Sequence, residues 1–390
     1  MKKAKSKKSK QKSIQKPFFW LLLLAFYLFL GGCGNPNPTP TQTPQTQTEE
    51  QGTLIVNNAV LEQFKENGQQ VWKVKAIKAR YRKNKEIAEV EKPEGELYQD
   101  GKLVFIIQAK EGEVQQDGKK IFLKNDIIAI DIQSGAVLRG DELEWTPDQD
   151  LLIVRKNLNG THKQLDAFAK EARMYSRKRQ MELIGEVIAV TKEEPILHLR
   201  TERVLWEIDK ELVIAPQFVL IDRYQDKKIS DRAESKKAEV NLKTKIVTLK
   251  DNATVRLLDP TLEITSNAIS WNVEAEMVNS SEPIEVNHTQ EKIVFTGNTG
   301  KVDIKQEICY LVGNVQGYDT VKKTQLRADE LTWLIKTQNI DAQGNIIYRQ
   351  FDPEFAVSGP TATGSLKDKT VTVSGGGGPV VTEIIPEEKR

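Results

Sequence analysis

The chain has 390 residues, with 57 Lys and Arg against 55 Asp and Glu, a formal net charge of +2. Eight of those lysines, and no acid, lie in the first sixteen residues. A chain cut after residue 32 therefore carries 49 basic and 55 acidic residues, a net −6. No basic stripe survives that cut, which excludes a nucleic-acid binder. With Cys33 and Cys309 the only cysteines, a disulfide framework is excluded too.

The chain opens with Lys2, Lys3, Lys5, Lys7, Lys8, Lys10, Lys12 and Lys16, then the apolar run Phe18 to Leu30, then Gly31-Gly32-Cys33. Basic, apolar and small in that order is a signal peptide, expected over 1–32. Its thirteen-residue run is short of the roughly 20 residues that span a bilayer. Leu30-Gly31-Gly32-Cys33 resembles the bacterial lipobox. The resemblance implies cleavage before Cys33 and a diacylglyceryl thioether on it, the alternative being an uncleaved anchor. Residues 33–52 are rich in Pro, Thr and Gln with no large apolar side chain, so they are expected to be a disordered tether. If extended like polyproline, it reaches roughly 55 Å from a membrane.

From residue 53 to 374 the chain repeats. Leu138-Arg-Gly-Asp-Glu-Leu-Glu-Trp145, Leu199-Arg-Thr-Glu-Arg-Val-Leu-Trp206, Ile264-Thr-Ser-Asn-Ala-Ile-Ser-Trp271 and Leu326-Arg-Ala-Asp-Glu-Leu-Thr-Trp333 share one eight-residue window, and Phe168 to Tyr175 fits it. Weaker copies start at Val74, Ile107, Ala233, Phe295 and Val357, giving ten repeats about 31 residues apart. The first position is apolar throughout, and the eighth reads Tyr81, Val114, Trp145, Tyr175, Trp206, Val240, Trp271, Val302, Trp333 and Gly364. Seven residues on, a second column holds Ile121, Leu152, Val213, Val247, Val278, Cys309, Ile340 and Val371, with Ala88 and Glu182 as poorer members. Cys309 is thus expected to be a buried column residue, not a redox thiol. Alternation such as Leu331, Trp333 and Ile335 predicts strands. Turns are expected at Asp100-Gly101, Asp117-Gly118, Asn159-Gly160, Gly313-Asn314 and Gly344-Asn345, and a bulge near Asp329-Glu330. Thirty-one residues hold two or three strands and no crossover helix. Residues 375–390 are read as a Gly-rich, charged tail.

Windows such as LRADELTW, followed by LVGNVQGY or AQGNIIYR, are similar to the OstA/LptA/LptC family of lipopolysaccharide-export proteins. There an L-x-A/G-x-x-L-x-Y/W strand alternates with a G-N-V/I-x-V strand. The resemblance covers about residues 54 to 380. It implies an all-β, semi-open jelly roll, folded like a taco around an apolar groove and stacked edge to edge as a slide for lipid. It further implies lipopolysaccharide or a related glycolipid as cargo, and an inner-membrane LptF/LptG-type permease with an LptB-type ATPase as its source. An LptA-like or outer-membrane LptD-like protein would join by strand addition. Localisation would be periplasmic, anchored in the inner membrane rather than the outer. Two features depart from the family's inner-membrane member: a lipobox in place of an anchor helix, and more repeats. The chain resembles an extended LptC-like lipoprotein.

No chemistry competes with that expectation. His162, His198 and His288 have no metal-ligand spacing and are expected on the surface. There is no CxxC, phosphate loop or nucleophile elbow. The acids at Asp141-Glu142 and Asp329-Glu330 recur with the repeat, whereas catalytic acids appear once. Neither enzyme activity, metal nor cofactor is expected. Trp145, Tyr175, Trp206, Trp271 and Trp333, with Leu143, Val204, Ile269 and Leu331, are the candidate groove lining for acyl chains. The alternative is a structural or adhesive β-repeat lipoprotein with a closed dry core, and a carbohydrate-active β-helix is a third reading. An open groove would favour transfer, a filled interior the structural reading. The edge near Thr370 to Val373 is expected to pair with the next bridge protein, the alternative being a capped monomer end.

Overall fold

The computed structural model describes residues 53–82, 86–115, 117–321, 323–368, 370–375 and 380–384; the leader, Cys33 and the whole tether lie outside them. Among the described residues there is no α-helix, only two single turns of 3₁₀-helix at Pro147–Gln149 and Ile208–Lys210.

The described residues form twenty-eight strands in one antiparallel meander of 21 rungs, because seven rungs are each split into two strands. Rungs 1 and 2 are Thr53–Phe64 and Gln70–Arg82. Rung 3 is Ile87–Glu91 with Glu94–Gln99, and rung 4 is Lys102–Gln108 with Glu111–Gln115. Rungs 5 to 10 are unsplit: Ile121–Asp131, Val137–Thr146, Leu151–Thr161, Leu165–Tyr175, Gln180–Thr191 and Ile196–Glu207. Rung 11 is Leu212–Ala215 with Val219–Gln225, and rung 12 is Lys228–Ser235 with Lys237–Asn241. Rungs 13 and 14 are Ile246–Leu258 and Thr261–Asn272. Rung 15 is Met277–Ser280 with Ile284–His288, and rung 16 is Ile293–Gly297 with Thr299–Asp303. Rungs 17 to 20 are Ile308–Asp319, Thr324–Leu334, Asn339–Phe351 and Glu354–Ser365. Rung 21 is Thr370–Ser374 with Val381–Ile384, so the segment read as a tail supplies a strand. Each repeat therefore adds a hairpin.

Every rung is bent or split at its middle, which divides the ladder into two arms. The bend is written in the backbone. Asn125-Asp126, Lys156-Asn157, Gly185-Glu186, Asp251-Asn252, Gly313-Asn314 and Gly344-Asn345 each hold two successive residues at positive φ. Gly, Asn and Asp tolerate that region best. Each pair coincides with a register shift against its neighbours, as a bulge requires. Gly313-Asn314 and Gly344-Asn345 are therefore mid-strand bulges, not the expected turns, and Asn159-Gly160 also lies within a strand. The extra residue stands opposite Asp329 rather than at it, and Asn345 Nδ2 donates to Asp329 Oδ2 at 2.8 Å. Where rungs 3, 11 and 15 split, Pro93, Pro216 and Pro283 occupy the gap, a residue that cannot donate to a ladder.

Because side chains alternate, one face of each arm is buried against the other and one is solvated. The outer face of one arm carries a run of cross-strand ion pairs: Lys120 to Glu144 at 2.7 Å, Glu144 to Arg155 at 3.3 Å and Arg155 to Glu171 at 2.6 Å. The inner faces form a single continuous apolar cluster from Ala59 to Ala362.

Candidate functional site

The interior between the arms is the site. Leu143, Trp145, Val204, Trp206, Ile269, Trp271, Leu331 and Trp333 all face it from one arm, each 3% exposed or less. Tyr175 does not join them. In rung 8 the inward residues are Leu165, Ala167, Ala172 and Met174, while Phe168 is 45% exposed and Tyr175 points outward, its ring under Lys178 Nζ at 5.4 Å. Aligning Phe168 with Leu138 is one residue out, and with a period of two such a slip exchanges the faces. Met174 pairs with Leu152 on one side and Met181 on the other, which also removes Glu182 from the inner column. Corrected, that column reads Tyr81, Val114, Trp145, Met174, Trp206, Val240, Trp271, Val302, Trp333, Gly364. Aromatic and non-aromatic residues alternate, and the tryptophans fall on rungs 6, 10, 14 and 18.

Each tryptophan is the last inward residue of its strand, and for three of them the alternation runs one step further into the tip, to buried Ile208, Val273 and Ile335. Across the interior, Phe105 meets Trp145 edge-on at 6.0 Å, His162 meets Trp206 at 4.8 Å, and Phe295 meets Trp333 at 5.2 Å. His162 and His288 are therefore buried, not on the surface as expected; His198 is half-buried and stacks on Tyr224 at 4.2 Å. Burial pushes the pKa of both His162 and His288 below the ordinary histidine value. Cys309 sits between Val302 and Trp333, and burial pushes its thiol up to about 12, so it is inert.

The four indole Nε1–H groups of this column are buried with no acceptor. A buried donor left unpaired costs about 1–3 kcal/mol. The indole of Trp72 shows that the fold can supply a partner, since it donates to the Gly118 carbonyl at 3.3 Å.

The corner side of the interior is closed by the bent strands. The opposite side, the mouth, is closed by side chains. Backbone hydrogen bonds at the tips run within one arm, such as Ser176 N to Asp150 O and Thr320 N to Lys292 O. Across the mouth, Arg177 meets Asp100 at 2.8 Å, Arg179 meets Asp131 at 2.9 Å and Lys245 meets Glu193 at 3.8 Å. Arg223, 8% exposed, pairs with Asp231 on its own arm at 3.0 Å and reaches Glu276 on the other. Gln338 donates to Glu291 at 3.2 Å. Past that clasp a cleft of about 60 Å³ opens between the arms, lined by Ile293, Phe295, Leu326, Ile340, Tyr348 and Val371 among others. In mid-ladder a void of about 20 Å³ among Leu165, Leu197, Leu199, Val213 and Ile221 is what packing leaves. The clasp residues and the buried histidines escaped sequence reasoning. Their signal was present: Asp131 and Arg223 continue the inward alternation of Ile127, Ala129 and of Val219, Ile221.

No curated protein matches the chain. The family model described as "Lipopolysaccharide-assembly, LptC-related" matches residues 20–153 and 219–320, which is more than half of the chain. An all-β, jelly-roll-like ladder with a clasped apolar interior, matched over that span, belongs to the LptC-related family of lipopolysaccharide-assembly proteins.

Proposed function

We propose that this chain is a periplasmic carrier, tethered through a lipid on Cys33 and residues 33–52, that passes a lipopolysaccharide-type glycolipid from the inner membrane toward the outer. The observation that carries the reading is the mouth: an apolar interior runs the length of the ladder and, among the described residues, is closed there by side chains alone. Parting the clasps exposes that interior without breaking a rung. Acyl tails then bury between the arms at about 25 cal/mol per Å² removed from water, while the sugar head stays outside. Energy comes from an LptF/LptG-type permease with an LptB-type ATPase. The open edges at Thr53–Phe64 and Thr370–Ser374 suit strand addition with an LptA-like or LptD-like neighbour.

A photocrosslinker in place of Trp206, Trp271 or Trp333 should capture glycolipid in cells, and only while the transporter is energised. Folded protein with no crosslink at any of the three sinks the carrier reading. Separately, Cys33→Ala should leave uncleaved precursor without lipid label. A second reading, a structural β-repeat lipoprotein, is favoured by one observation: the interior is filled by its own side chains, the tryptophans included. The same crosslinks decide between the two.

A further inference from the structure

We propose that the indole N–H groups of Trp145, Trp206, Trp271 and Trp333 are four equivalent stations, each donating to an ester or amide carbonyl of an acylated lipid. The inference rests on the carrier reading and deepens it. All four donors are buried, all lack an acceptor, and all occupy one register position. They recur every fourth rung, which at about 4.8 Å per rung places them roughly 19 Å apart along the ladder. The rungs between carry Met174, Val240 and Val302, which have no N–H or O–H to offer.

Depth within the arm selects the chemistry. Each tryptophan is the last inward residue of its strand, so its indole lies in the half of the interior nearer the mouth, with Ile208, Val273 and Ile335 beyond three of the four. The half-strand from there to the corner, as from Leu143 to Trp145 beyond Asp141, is lined with apolar residues. A lipid whose tails point to the corner and whose head projects from the mouth brings its acyl linkage to the indole. That linkage is where such a molecule carries carbonyl oxygens. A plain hydrocarbon would leave the donors unpaired; an ester or amide satisfies them.

The test uses the full-length protein in detergent, labelled with indole-¹⁵N tryptophan. Two synthetic probes of equal chain length are compared: a diacyl glucosamine phosphate with ester and amide links, and its ether-linked analogue. The acylated probe should move the four buried indole resonances and the ether probe should not. Single Trp→Phe variants, which keep a ring but lose the N–H, should each weaken the acylated probe about fivefold more than they weaken the ether probe. Equal binding of the acylated probe by wild type and all four variants overturns the stations while leaving the carrier reading standing. Failure of wild type to bind either probe overturns the carrier reading and the stations together.

Discussion

Two stretches of the same ladder close in different ways. From Asp100 to Glu276 the arms are latched by Arg177, Arg179, Arg223 and Lys245, and side chains fill the space between them. From Ile293 onward the backbone repeats the same bend, yet the cleft beside Tyr348 and Val371 stays open. The last rungs are also built small. Gly364 holds the column position that Trp333 fills two rungs earlier, and a β-carbon on Gly359 would stand 2.7 Å from Val373. Closure is thus set by the residues at the tips and in one column, not by the sheet.

The sharpest way to test that contrast is to remove a large side chain from each stretch. Trp271→Ala, in the filled stretch, should cost about 3–5 kcal/mol by chemical denaturation. Tyr348→Ala, beside a cleft that already exists, should cost about half as much or less. Equal losses would mean that the two stretches pack alike.

The latches come next. Arg223→Met leaves Asp231 buried without its cation and should destabilise by roughly 3 kcal/mol. Arg179→Met should cost about 2 kcal/mol, because Asp131 keeps the Ser134 hydroxyl at 2.5 Å and the Gln133 N–H at 3.1 Å. Both should raise binding of an environment-sensitive apolar dye. A change in stability without dye uptake would show that the clasps brace the tips and do not gate the interior.

Smaller still is the effect of acid. Burial lowers the pKa of His162 and His288 in the folded chain. Their stabilisation is therefore complete above the ordinary histidine value near 6.5 and is lost as pH falls toward their folded values. Melting temperature should drop by a few degrees between pH about 7.5 and about 5.5, and less so in a His162→Gln, His288→Gln double variant. Asp222 acts in a different window. Burial raises its pKa, but hydrogen bonds from Arg232 and Arg200 outweigh that and hold it below the carboxylate range. Its contribution is present above about pH 4 and fades only as pH falls further.

The least effect belongs to Cys309. A buried thiol pushed up to about 12 should resist alkylation in the native state, and Cys309→Val should change stability by less than about 1.5 kcal/mol. Rapid native labelling would mean that the interior near Trp333 opens spontaneously.

Much of this architecture was legible. Apolar alternation marked the inner columns, and the company of Ile, Leu and Val placed Cys309 among them. Features carried by backbone sign or by cross-arm contact were not. Gly-Asn serves a hairpin turn and a strand bulge alike, since both need positive φ, so Gly344-Asn345 read as a turn. Phe168 and Tyr175 fit an eight-residue window by composition, but only the pairing of Met174 with Leu152 and Met181 fixes which face they occupy. His162 and Arg223 looked solvated because their partners, Trp206 and Glu276, lie 44 and 53 residues away.

The meander has one more consequence, for how the protein comes into being. Among the described residues every rung pairs only with the rungs before and after it in the chain, so none of these strands waits for a distant partner. Such topologies have low contact order and can nucleate anywhere and propagate by neighbours. The ladder can therefore assemble hairpin by hairpin, each new one templated on the edge already formed. The edge that directs assembly within one molecule is the same kind of edge to which a strand of another chain can add.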